Sequence, residues 1–129
     1  MIKEFVDLFN RRRSELERAF RENEPKKYVD VVRETARILN PDPNAYSSRH
    51  PDPSRVIEID DGCYQGDYLY ILPASHGSGK FWCVSVEYGS CAACDTLEAA
   101  QELDDVDERI REYMMLALHI VQGLKELPL

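Results

Sequence analysis

Hydrophobic periodicity changes along this chain, and the first change falls on a proline-rich segment. Residues 40–54, NPDPNAYSSRHPDPS, hold four of the seven prolines. Before them, apolar residues recur at helical spacing; after them, they alternate, as in strands. A chain divided this way predicts an α+β fold: an N-terminal helical hairpin, a three-stranded antiparallel sheet and two C-terminal helices. Proline-rich sequence favours an extended, polyproline-like strap, so 40–54 is expected to link the hairpin (1–39) to the sheet and helices (55–129). With 129 residues, one domain is expected.

The first helix is predicted over 2–22, from Ile2, Phe5, Phe9, Leu16, Ala19 and Phe20. The second is predicted over 26–39, where Tyr28, Val32, Ala36 and Leu39 form one stripe, with Asn40-Pro41 ending it because a residue before proline avoids helix. Strands are predicted over 55–60, 68–72 and 81–88. Their alternation puts Ile57 with Ile59, Tyr70 with Leu72, and Trp82 with Val84 and Val86. A short helix over 96–102 and a long one over 105–127 follow, with Asp104 or Asp105 as cap. The long helix is apolar nearly all round, which predicts a central position and a surface for homo-oligomer contact. Within it, His119 is expected at the core or its rim. His50 is expected to be solvated in the strap, and Arg11–Glu15 and Arg13–Glu17 are expected as pairs on the first helix.

Charge divides along the same line. Residues 1–55 hold 12 Lys+Arg against 10 Asp+Glu, and residues 56–129 hold 4 against 14, giving the net −8. An acidic surface argues against nucleic acid, whose phosphates need a cationic face. It suits a basic protein partner, and Asp104, Asp105, Asp107 and Glu108 are the candidate contact residues. The longest apolar run is six residues, Tyr113 to Leu118, against the ~20 a membrane-spanning helix needs. No apolar stretch precedes Arg11-Arg12-Arg13, so a cytoplasmic protein with no membrane association is expected.

Motifs of known chemistry are scarce. Ser75-His76-Gly77-Ser78-Gly79-Lys80 imitates a phosphate-binding loop, but Ala74 stands where the first glycine belongs and Phe81 where Ser or Thr belongs. The three histidines suggest no triad, so an enzyme is not expected. The distinctive constellation is Cys91-Ala92-Ala93-Cys94. An antiparallel meander would bring it to the same sheet end as the 61–67 loop, and so near Cys63. Three readings stay open. Cys91, Cys94 and Cys63, with an aspartate as fourth ligand, could hold zinc. Cys91 and Cys94 could form a redox pair at a helix start, although neighbouring carboxylates disfavour thiolate. Or the thiols pack as small apolar groups and no cofactor is bound.

Tyr88-Gly89-Ser90-Cys91-Ala92-Ala93-Cys94-Asp95-Thr96-Leu97 resembles a Y-G-S-C-x-x-C-D-x-L stretch in small uncharacterised proteins of tailed phages and prophages. Tyr64-Gln65-Gly66 upstream, and the helix Tyr113 to Gln122, resemble companion segments of those proteins. The resemblance spans roughly residues 56–125. It implies a phage or mobile-element origin, hence action in a host-cell cytoplasm, and carries no activity. Cys63 is not part of it. Together these observations lead to the expectation of a non-enzymatic accessory protein that binds a host or phage protein. The alternative is a metal- or thiol-dependent site at Cys91 and Cys94.

Overall fold

Helical periodicity at the N-terminus produces two packed helices. A computed structural model describes residues 2–39, 50–60, 67–74, 80–87 and 96–126. Helix α1 spans Ile2–Glu22 and α2 spans Tyr28–Ile38. Phe5, Leu8, Phe9, Leu16 and Phe20 bury one face of α1, and Tyr28, Val32, Ala36 and Leu39 are buried as the stripe predicts. Asp30 Oδ2 accepts from the backbone N–H groups of Lys26 and Lys27, both at 3.0 Å, satisfying donors at the start of α2. At its other end, Arg12 Nη1 donates to the Ile38 carbonyl at 3.3 Å. The α1 ion pairs are Arg12–Glu15 and Arg21–Glu17, not the two expected from spacing alone. Arg12 lies against α2, and Arg21 is drawn toward Asp107, so packing selects which arginine meets which carboxylate.

The described part of the strap also departs from expectation. Pro53–Arg55 form a 3-10 turn, with Asp52 accepting from the Ser54 N–H at 2.9 Å. His50 is not solvated; it is only 5% exposed. Its ring meets Phe5 edge-on at 6.5 Å, and Nε2 lies 3.2 Å from Glu4 Oε1. His50 thus lies against α1, and the imidazole has a polar partner that makes burial tolerable.

Strands β1 (Ile57–Asp60), β2 (Asp67–Pro73) and β3 (Phe81–Glu87) form the predicted antiparallel meander. The sheet has a fourth strand, β4 (Lys125–Glu126), giving the order β1-β2-β3-β4. This corrects the long C-terminal helix. Helix α4 spans Val106–Gly123 and stops short of the expected end, because the next residues gain ladder bonds by pairing Lys125 with Cys83 and Glu126 with Trp82. Gly123 sits where an added Cβ would lie 3.2 Å from Val84 Cγ2, so the missing side chain lets α4 close on β3. The short α3 spans Thr96–Gln101.

Tyr70, Leu72, Trp82, Val84 and Val86 face the helices and join them in one buried cluster, with the Phe5 and Trp82 rings 5.7 Å apart. Helix α4 supplies Ile110, Tyr113, Met114, Ala117, Ile120 and Val121. It is less fully surrounded than its composition predicts: Met115 is 50% exposed, and Val106 and His119 are also exposed. His119 therefore belongs to neither core nor rim. Among the described residues, no helix is long and apolar enough to cross a membrane.

Candidate functional site

The register fixes the two ends of the sheet. Asp60 pairs with Tyr68, and Asp67 pairs with Glu87. The chain thus leaves β1, enters β2 and leaves β3 at one end, as the threading of the meander predicts. Cys63, Cys91 and Cys94 lie outside the described residues. Cys83, in mid-β3, is half-buried with its thiol free. Among the described residues, no group of three or more His, Cys, Asp or Glu is placed to hold a metal ion.

The acidic candidates gather at the start of α4, all four exposed, with different duties. Asp105 is the cap, its carboxylate accepting from the Asp107 N–H at 3.0 Å. Asp107 pairs with Arg21 of α1 at 2.8 Å. Asp104 offers its backbone carbonyl to Arg109 Nη1 at 3.1 Å. Among the described residues, the side chains of Asp104 and Glu108 have no hydrogen bond or ion pair. Two of the four acids are therefore committed to holding the helix.

Beside them, Glu24 collects three donors: Arg109 Nε at 2.8 Å, Arg109 Nη2 at 3.2 Å and the Tyr113 hydroxyl at 3.0 Å. The Arg109 hydrogen bonds hold the Glu24 carboxyl below its usual range against a smaller opposing effect of burial, and the Tyr113 bond adds to them. Burial, helped by Glu24, pushes the Tyr113 phenol up to about 12. This is a structural clasp between the α1–α2 turn and α4.

A hollow of about 500 Å³ lies between the start of α2, β1–β2 and α3. Tyr28 and Tyr68 wall it, with ring centroids 5.7 Å apart, and Lys26, Lys27, Glu58 and Glu98 bring charges of both signs. Tyr28 Oη accepts from the Leu97 N–H at 3.2 Å, and the Tyr70 hydroxyl donates to Glu58 at 2.8 Å. Burial first, and then Glu58, raise the Tyr70 phenol well above its ordinary value, so it stays protonated. Among the described residues lining the hollow there is no His, Cys, Ser or Thr.

The feature that sequence reasoning missed is the other face of the sheet. The helices cover one side. On the opposite side, Ile57, Ile71 and Cys83 share one row, and Ile59, Leu69 and Ser85 the next. Ile57 and Ile59 are 48% and 43% exposed; Leu69, Ile71, Phe81 and Cys83 are half-buried. Strand spacing and rise make this strip on the order of 300 Å². A strip of that size compares with the largest apolar patch on a typical monomer, and such patches are often functional. The signal was present in β2, whose alternation carries apolar residues on both faces. Comparison with protein-family models, curated proteins and solved structures gives no match for this chain.

Proposed function

We propose that this chain is a non-enzymatic binding protein that acts by docking on another protein through the open face of its sheet. The observation that carries the reading is the exposure of Ile57 and Ile59, in register with Leu69 and Ile71, on the side that no described helix covers. Leaving this apolar surface in water costs free energy, at roughly 25 cal/mol per Å², that a partner would recover. The acids serve approach more than contact: Asp105 and Asp107 hold α4, while Asp104 and Glu108 add to a field that favours a basic partner. The resemblance to phage and prophage proteins supplies the setting, a host or phage protein as target.

The test is site-specific photocrosslinking in the producing cell, with the crosslinker at position 59 or, as control, at exposed Arg18 on α1. Discrete protein adducts are expected from position 59 alone. Adducts of equal yield from both positions, or none from position 59, would refute the reading.

A further inference from the structure

A groove of about 510 Å³ runs between α1 and α4. Its floor is apolar: Phe9, Ile110 and Met114 are buried, Leu118 is half-buried and Met115 is 50% exposed. Its charged residues are Arg13, Glu17 and Arg21 on α1, and Asp107 and Arg111 on α4. Helical spacing offers two of these arginines a carboxylate one turn away, Glu17 for Arg13 and Asp107 for Arg111. Arg21 takes both carboxylates instead. Its Nη1 lies 2.8 Å from Asp107 Oδ1, and its Nη2 lies 3.4 Å from Glu17 Oε1. Arg13 and Arg111 are exposed, and among the described residues neither has a hydrogen bond or an ion pair. On a chain of net charge −8, this groove therefore carries two unpaired cations, one on each wall. Glu108 and Glu112 neighbour Arg111 along α4 but do not line the groove.

We infer that the α1–α4 groove receives one acidic amphipathic helix of a partner protein. The groove shares no lining residue with the open sheet face, and the inference does not depend on the binding reading above. Along α4 the lining runs from Asp107 to Leu118, ~16 Å at 1.5 Å per residue, the length of a three-turn helix. Laid there, such a helix rests its apolar stripe on Met115 and Leu118, in the helix-in-groove mode. Met115 is unbranched and adapts to the shape laid on it. Because the unpaired guanidiniums stand on both walls, the occupant needs carboxylates on both flanks of its stripe. Each guanidinium can hold a carboxylate by two parallel hydrogen bonds. A nucleic-acid strand matches the cations but brings no apolar stripe for the floor. The net charge of −8 acts at range and is screened beyond ~8 Å at physiological ionic strength, whereas Arg13 and Arg111 act at contact.

The experiment uses the full chain and three synthetic peptides of about 18 residues, long enough to form an isolated helix. One is a Leu/Glu peptide with leucines at i, i+3, i+4 and i+7 and glutamates on both flanks. The second has the same composition, scrambled so that no apolar stripe forms. The third keeps the stripe and replaces every Glu with Gln. Fluorescence anisotropy is expected to show the Leu/Glu helix binding at least about tenfold more tightly than either other peptide, a difference of ~1.4 kcal/mol. Arg13→Gln/Arg111→Gln should weaken that binding by about tenfold or more. Arg11→Gln/Arg18→Gln removes the same charge from exposed positions outside the groove and should change it by less than about twofold. On the unmodified chain, the Leu/Glu peptide should shift the methyl resonance of Met115 and leave those of Ile57 and Ile59 in place. Equal binding of the scrambled or Gln peptide would overturn the inference, and so would equal effects of the two arginine variants. Shifts at Ile57 and Ile59 without one at Met115 would overturn it too, while leaving the sheet-face reading intact.

Discussion

Glu24 is one carboxylate serving two elements: it receives a forked Arg109 and the Tyr113 hydroxyl, both from α4. Because its folded-state pKa lies below the ordinary 4.5, the stability it contributes is present above that value and is lost as pH falls through the lower, folded value. Thermal melts across about pH 3 to 7 should show the native chain losing stability on this acid limb. Glu24→Gln should be modestly less stable at neutral pH and lose less on acidification, since the neutral amide has no charge to titrate. The group is partly exposed, so the effect is at the scale of a few degrees in Tm. An identical acid limb in the variant would show that Glu24 is no part of it. His50 repeats the lesson in the strap: beside Glu4 and against Phe5, a polar ring occupies a buried place.

At the scale of elements, the 18 residues of α4 and the two aspartates just before them combine capping, core packing and an acidic corner. Its first turn separates structural from available acids. Asp105→Ala removes the acceptor for the Asp107 N–H and should cost about 1 kcal/mol in denaturant unfolding. Asp104→Ala, equally exposed and equally charged, should change stability by less than about 0.5 kcal/mol. Equal costs would mean that net charge, and not capping, sets the stability of this turn. At the other end of α4, Leu124 is buried and Lys125–Glu126 turn into the sheet, so the helix stops where β3 offers hydrogen bonds. The helical pattern alone cannot show this, because it continues through Leu127.

At the scale of the molecule, the described helices cover one side of the sheet and leave its other, apolar face open, and β1 and β3 finish at the same end. Cys63, Cys91 and Cys94 follow those strands in the chain. If the thiols pack as small apolar groups, Cys91→Ala and Cys94→Ala should each cost within about 0.5–3 kcal/mol, and chelator should leave the native Tm unchanged. Structural zinc would give the opposite: stoichiometric metal in the purified protein and a fall in Tm with chelator, since metal binding free energy is folding free energy. We expect the first outcome. It is checked by metal analysis and melting with and without chelator.

Local chemistry determined the elements. The Tyr28, Val32, Ala36 and Leu39 stripe is buried as spaced, Trp82, Val84 and Val86 face the core, and an aspartate caps α4. These follow from periods of 3.6 and 2 and from a side-chain oxygen next to free N–H groups, which neighbouring residues suffice to define. The meander and the shared end of its loops were legible too, from strand parity and short connections. Tertiary structure decided the rest. Strand β2 carries Tyr70 and Leu72 on one face and Leu69 and Ile71 on the other, so its pattern is nearly symmetric. Only the packing of α1, α2 and α4 chose which face became core and which became a surface for contact. The same packing chose Arg109 for Glu24 and Arg21 for Asp107, pairs far apart in the chain. It also made β4 from two residues that have no reason to be a strand until β3 lies beside them. Each of these depends on partners distant in sequence, and no local pattern of apolar or charged residues specifies such a partner.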